Sequence, residues 1–160
     1  MARAYVSLGS NVDRARHIQS AIAAMEDRYG RLVLSTVYES EAVGFDGANF
    51  YNLVVGFDTM DSPQAVAAWL RELEAAHGRR RGGRRYADRT LDADLLLFDE
   101  RVIDENGLKL PRADILEYAF VLGPLAEIAP AARHPVIGEF FATLWARFDR
   151  GTQPMWVVDL

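Results

Sequence analysis

The chain has 160 residues, a length that fits one domain (1–160) around one core, and a composition of 50% hydrophobic and 26% charged residues excludes a disordered or fibrous protein. The absence of cysteine excludes disulfides, thiolate-held metals and thiol nucleophiles, and the net charge of −5 argues against a protein that coats nucleic acid. The apolar runs at 4–8 and 118–126 are too short for a signal-peptide core or for the ~20 residues of a membrane helix, so a cytoplasmic monomer with no membrane contact is expected.

Residues 4–8 read as a strand that ends in a tight turn at Gly9-Ser10-Asn11. Ile18, Ala21, Ile22 and Met25 then fall on one helical face, and Gly30 supplies a stop. Strands are expected at 32–38 and 51–57, joined by a long connection at 39–49 that is rich in glycine and charge. Ser62-Pro63 opens a second helix as N-cap and first-turn proline; Val66, Trp69, Leu70 and Leu73 line one face, and Gly78 closes it. Residues 91–98 read as a strand buried on both faces, because Leu95-Leu96-Leu97-Phe98 leaves no side for water. A small excursion around Asn106-Gly107 joins Val102-Ile103 to residues 108–110. Residues 119–126 fit strand or helix equally; Phe140, Phe141, Leu144, Trp145 and Phe148 mark a helix, and residues 155–158 a last strand. The order β-α-β-β-α-β with additions is the ferredoxin-like α+β plan, an antiparallel sheet with helices packed on it. That plan serves many functions, so function must come from the site.

The charge is unevenly spread. Residues 79–89 hold six arginines against Asp88, a net of +5 that leaves −10 on the rest of the chain. The guanidinium fork suits phosphate oxygens, and Gly82-Gly83 would let this loop fold down over a ligand. Immediately after it, Asp92-Ala93-Asp94 opens the buried strand, where carboxylates at i and i+2 share a face. Hard oxygen ligands in pairs suit Mg²⁺, whose other positions go to water and substrate phosphates. A cationic loop beside paired acids is the layout of a nucleoside triphosphate site, although no Walker motif is present. Phe50, Asn52 and Phe120 read singly as structural; together they could clamp a flat heterocycle by stacking and edge hydrogen bonds. The three histidines, His17, His77 and His134, show no ligand spacing.

These residues resemble the 6-hydroxymethyl-7,8-dihydropterin pyrophosphokinase family of the folate pathway. The most specific match is Arg89-Thr90-Leu91-Asp92-Ala93-Asp94-Leu95-Leu96-Leu97-Phe98, supported by Tyr5-Val6-Ser7-Leu8-Gly9-Ser10-Asn11, by Phe50-Tyr51-Asn52-Leu53-Val54-Val55, by Ala119-Phe120-Val121-Leu122 and by Ala126-Glu127-Ile128-Ala129-Pro130. The resemblance implies an enzyme that moves the β,γ-diphosphate of ATP onto the pterin hydroxymethyl group and releases AMP. It implies two Mg²⁺ ions on Asp92 and Asp94, with Asp92 also near the pterin. Arg79 and Arg89 would hold polyphosphate, with Arg81 nearby. Glu74 would lie toward the nucleoside, and Tyr86, Leu95 and Arg112 belong to the same nucleotide set. Phe50 and Phe120 would sandwich the pterin, and Asn52 with the backbone of Ser40, Ala42 and Val43 would read its edge.

The chain departs from the family at several positions. Leu110-Pro111-Arg112 stands where Leu-Pro-His is common, Tyr86-Ala87-Asp88-Arg89-Thr90 where Trp-Gly-Pro-Arg-Thr is, Ser40-Glu41-Ala42-Val43-Gly44 in a segment usually rich in proline, and Tyr118 in place of a frequent arginine. Two alternatives follow: a divergent paralogue with another acceptor, and a non-catalytic RNA-binding module. Against the module stand the missing aromatic RNA motif and the −10 body, so no nucleic-acid partner is expected.

Overall fold

The computed structural model describes residues 1–78 and 88–160. Most of the arginine loop, residues 79–87, lies outside the described residues, and with it the sequence-based roles of Arg79, Arg81 and Tyr86.

Among the described residues, the strands β1 (Ala2–Ser10), β2 (Val33–Leu34), β3 (Val37–Ser40), β4 (Phe50–Thr59), β5 (Asp92–Phe98) and β8 (Met155–Val158) form one six-stranded sheet in the order β5-β1-β4-β3-β8, with β2 also on β4. Each pairing is antiparallel. The β5-β1-β4-β3 core with α1 (Arg14–Tyr29) and α2 (Pro63–Ala76) is the expected ferredoxin-like plan. Two strands, β6 (Ile103–Glu105) and β7 (Leu108–Leu110), form a separate hairpin on Asn106-Gly107, both at positive φ as a primed turn requires.

Two layers of helix enclose the sheet. On one face α1 buries Ile18, Ala21 and Met25, and α2 buries Val66, Leu70 and Leu73, against Ala4, Val6 and Leu8 of β1 and Leu53, Val55 and Phe57 of β4. Ser62 caps α2 by accepting the Ala65 amide at 3.1 Å. On the other face α4 (Ala119–Ile128) and α5 (Phe141–Arg147) bury Val121, Leu122, Leu125 and Phe141 against Val54, Leu96 and Leu97. The four-residue α3 (Asp114–Glu117) is too short to leave a periodic signal.

The structure refines four sequence expectations. Gly9-Ser10 is strand rather than turn: β1 runs through Ser10, and the left-handed residue is Asp13, at φ 45°. The strand expected at 32–38 is broken at Ser35-Thr36, where the Ser35 hydroxyl accepts the Val54 amide at 2.9 Å and interrupts the ladder; pairing resumes at Val37 and continues to Ser40. Residues 119–126 are helical. Gly123 makes this helix packable, since a Cβ there would stand 2.7 Å from Met155 Cε and 2.9 Å from the Trp145 ring. Finally, β5 carries a bulge: Val6 pairs with Leu95 and Tyr5 with Leu97, so Leu96 is an extra residue. Leu96 and Leu97 therefore both serve the α4 core, while Leu95 and Phe98 serve the α1/α2 core. A strand whose two faces are both covered, with an irregularity in mid-course, explains the unbroken apolar run.

Candidate active site

A cleft of about 340 Å³ opens on the α4 side of the sheet, where α4 stops short of covering the ends of β5, β1 and β4. Its floor is one row of paired residues, Asp92 on β5 opposite Gly9 on β1 and Gly9 opposite Asn52 on β4. Strands lie ~4.8 Å apart, which puts Asp92 and Asn52 on the order of 10 Å from each other across the cleft floor. Gly9 keeps that floor open, since a Cβ there would meet Asn52 Oδ1 at 3.1 Å and Phe50 Cδ2 at 3.8 Å. The motif glycine acts by having no side chain under the ligand space.

One end of the cleft suits a flat ring. Asn52, 5% exposed, donates from Nδ2 to the Ser40 hydroxyl at 2.8 Å, which fixes its amide plane and leaves Oδ1 over Gly9. Phe50 stands beside Asn52 and meets the Phe45 ring edge to face, at 6.4 Å and 89°. Across the opening, Phe120 at the start of α4 stacks on Tyr118 at 5.0 Å and 17°. Val43 completes this apolar wall.

The other end is ionic. Asp92 and Asp94 share the cleft face of β5, while Ala93 between them is buried, 5% exposed, in the helix-side core. Arg89 Nε lies 3.6 Å from Asp92 Oδ1, and an Arg112 amino nitrogen lies 3.6 Å from Asp94 Oδ1. Arg112 Nε is 3.2 Å from Asp114 Oδ2, but its N–H is not aligned on an acceptor, so this contact is one of charge. Burial alone would lower the Arg112 pKa; the Asp94 and Asp114 carboxylates outweigh it and hold the guanidinium more firmly protonated than usual.

Of the residues expected from sequence, Ser40, Val43, Phe50, Asn52, Arg89, Asp92, Asp94, Arg112 and Phe120 all line the cleft. Ala42 does not, although its neighbours Glu41 and Val43 do. The Leu95 side chain is buried in the α1/α2 core, so its backbone alone is left for a nucleotide. Glu74, on α2, accepts the Ala93 amide at 3.0 Å and thereby ties the helix to β5 beside the acid pair.

Four residues have roles at the site that the sequence did not suggest. Phe45 backs Phe50, and Asp114 faces Arg112. Asn11 is the third: its Nδ2 donates to Ala48 O at 3.1 Å and to Asp88 Oδ1 at 2.8 Å, and its Oδ1 accepts the Arg89 amide at 2.7 Å. One side chain thus ties the loop 41–49 of the ring end to the segment that carries the arginine end. Arg14 anchors the same loop by donating to Asn49 O at 2.9 Å and lying 3.9 Å over the Tyr51 ring. A buried asparagine next to a Gly-Ser dipeptide reads as a turn former, which is why its bridging role left no separate signal.

An apolar slot is thus continuous with a compartment of paired acids and arginines, a layout that could bring a flat heterocycle beside a phosphorylated donor. The sequence profile of the 7,8-dihydro-6-hydroxymethylpterin-pyrophosphokinase family matches residues 5–130. The 2-amino-4-hydroxy-6-hydroxymethyldihydropteridine pyrophosphokinase of Aquifex aeolicus is 37% identical over 85% of this chain and 86% of its own length. That of Pseudomonas aeruginosa is 42% identical over 83% and 84%. A crystal structure of an HPPK-DHPS protein in complex with substrates shares the fold at a TM-score of 0.76 and 12% identity, over 94% of this chain and 44% of that one; the chain thus spans less than half of that protein. The chain belongs to the pyrophosphokinase family and is an enzyme of folate biosynthesis, moving the β,γ-diphosphate of ATP to the hydroxymethyl group of 6-hydroxymethyl-7,8-dihydropterin and releasing AMP.

Proposed function

We propose that the reaction runs in the cleft described above, with the pterin between Phe50 and Phe120, its edge read by Asn52 and the 40–43 backbone, and the polyphosphate toward Arg89 and Arg112. The observation that carries this reading is the row Asp92–Gly9–Asn52, which sets an ionic and an apolar compartment at the two ends of one open floor. Arg79, Arg81 and Tyr86 complete the nucleotide side and Glu74 lies toward the nucleoside, by resemblance to the family.

The donor set fits two Mg²⁺ ions. Two hard carboxylates share a strand face in an open cleft, and among the described residues no cluster of three or more ligating side chains offers a closed cage, so water and phosphate oxygens would fill the other positions. Bound there, the ions would screen the polyphosphate charge and polarise the phosphorus under attack. The chain's own groups position the reactants. Phe50 and Phe120 fix the ring plane and Asn52 fixes its rotation; as the pterin hydroxyl bonds to the β-phosphorus and gives its proton to water, the bond from the β-phosphorus to the α,β-bridging oxygen breaks, and the arginines stabilise the charge that gathers on the departing AMP. No side-chain base is required by this layout.

The enzyme is proposed to act as a Mg²⁺-dependent monomer in the cytoplasm; no described helix is long and apolar enough to cross a membrane. Product analysis with ATP, reduced hydroxymethylpterin and Mg²⁺ is expected to give AMP and a pterin diphosphate in equal amounts, with none formed in EDTA. Stoichiometric ADP, or undiminished turnover in EDTA, would contradict it.

A further inference from the structure

We propose that Arg112 guards Asp94 against bare divalent cations, so that metal enters this site efficiently only together with polyphosphate. The inference rests on the reading of Asp92 and Asp94 as metal ligands.

The backbone at Arg112 is fixed: its amide donates to Leu96 O at 3.0 Å, and Leu110, two residues earlier, is 1% exposed. From this anchor the guanidinium reaches between two carboxylates, 3.6 Å from Asp94 and 3.2 Å from Asp114. Its Nε is buried without an aligned acceptor. Charge holds the head in place more than saturated hydrogen bonds do, and such a group is displaced readily by a better acceptor. Its charge is permanent, because a guanidinium keeps its proton at every working pH.

A cation approaching Asp94 alone meets this fixed positive charge. A unit charge ~6 Å from a divalent ion, even at the dielectric of water, weakens binding by about tenfold. A polyphosphate that arrives with the cation removes the conflict, since its oxygens match the planar fork of the guanidinium bidentately. Metal and nucleotide then each favour the other, which is a positive coupling between two ligands. Asp114 is the positioning residue in this arrangement: it supplies the second carboxylate that keeps Arg112 beside Asp94 when no phosphate is present.

Binding of Mn²⁺ alone, followed by the electron paramagnetic resonance of the free ion on the full chain, tests this directly. Arg112→Gln is expected to bind bare Mn²⁺ about tenfold more tightly than wild type, and to bind the Mg²⁺ complex of a non-hydrolysable ATP analogue more weakly. Arg112→Lys, which keeps the charge, is expected to show no gain for the bare ion. Equal or weaker Mn²⁺ binding by Arg112→Gln, or the same gain in Arg112→Lys, would overturn the proposal. Asp94→Asn separates the two readings. If it loses Mn²⁺ while Arg112→Gln gains nothing, the guard fails and the ligand assignment stands. If it binds Mn²⁺ as wild type does with the ATP analogue present, both fail.

Discussion

The two faces of the sheet are made by the same strands and do different work. The face under α1 and α2 is closed: Ala4, Val6, Leu8, Leu53, Val55, Phe57, Ala93 and Leu95 are all buried there. The opposite face is covered by α4 and α5 over Val54, Leu96 and Leu97 and left open over Ser7, Gly9, Asn52, Asp92 and Asp94. Because strand side chains alternate, stability and chemistry are separated by parity along one backbone. In β5 the residues 92 and 94 face the cleft while 93 and 95 face the core.

Four substitutions or conditions would break or sharpen that contrast. The largest effect is expected for Asp94→Asn or Asp92→Asn, which removes one ligand charge at nearly constant size; turnover should fall by more than ~100-fold, beyond what changes outside the ligand set bring. The thermal midpoint should move little, and activity within a few-fold of wild type at saturating Mg²⁺ would return these carboxylates to a structural role. On the closed face, Leu70→Ala should do the reverse. A cavity under α2 costs about 2–5 kcal/mol of stability in denaturant melts, while turnover per folded molecule stays close to wild type.

A smaller and more selective effect is expected from Phe50→Ala or Phe120→Ala. Loss of one ring face should raise the KM for the pterin by roughly two- to tenfold, given ~0.5–1.5 kcal/mol for an aromatic pair, and leave the KM for ATP nearly unchanged. Equal loss toward both substrates would mean that these rings shape the cleft as a whole.

The smallest effect concerns the histidines and pH. His17, on α1, and His77, which caps α2, bring their Nδ1 atoms to 2.6 Å, a contact that needs one of the two nitrogens free of a proton. Desolvation lowers both pKa values, helped for His17 by the charge of Arg16 and for His77 by those of His17 and Arg16. His134, also lowered by burial, accepts the amides of Val136 and Ile137 on its Nδ1. Folding thus disfavours the protonated rings, so their contribution is complete above the ordinary histidine pKa of ~6.5 and is lost as pH falls through the lower folded values. The thermal midpoint should drop between pH 7 and pH 5, ahead of carboxylate titration, and His77→Gln should flatten that limb. A midpoint independent of pH in this range would show that the pair carries no linkage.

The sequence disclosed this parity only where the pattern was local. Alternation placed Asp92 and Asp94 on one face, and the helical faces of α1 and α2 followed from spacing. The proposed ring clamp was legible chiefly through family resemblance, since Phe50 and Phe120 are 70 residues apart and come to line one cleft only through the packing of α4 on the sheet. The bulge at Leu96 could not be read, because an extra residue within an all-apolar run changes no pattern. Neither could the bridge by Asn11, whose partners Ala48, Asp88 and Arg89 are distant in the chain, or the Arg112–Asp114 pair, which lies in an irregular segment where neither periodicity nor turn chemistry reports on contacts.

The central claim is that the open end of β5 is a two-metal site on Asp92 and Asp94. The most direct measurement is the number of Mn²⁺ ions bound per chain in the complex with a non-hydrolysable ATP analogue and the pterin. The account expects two ions in wild type and a loss of at least one in Asp94→Asn, with the melting midpoint preserved. Two ions retained at wild-type affinity in both Asp92→Asn and Asp94→Asn would contradict it.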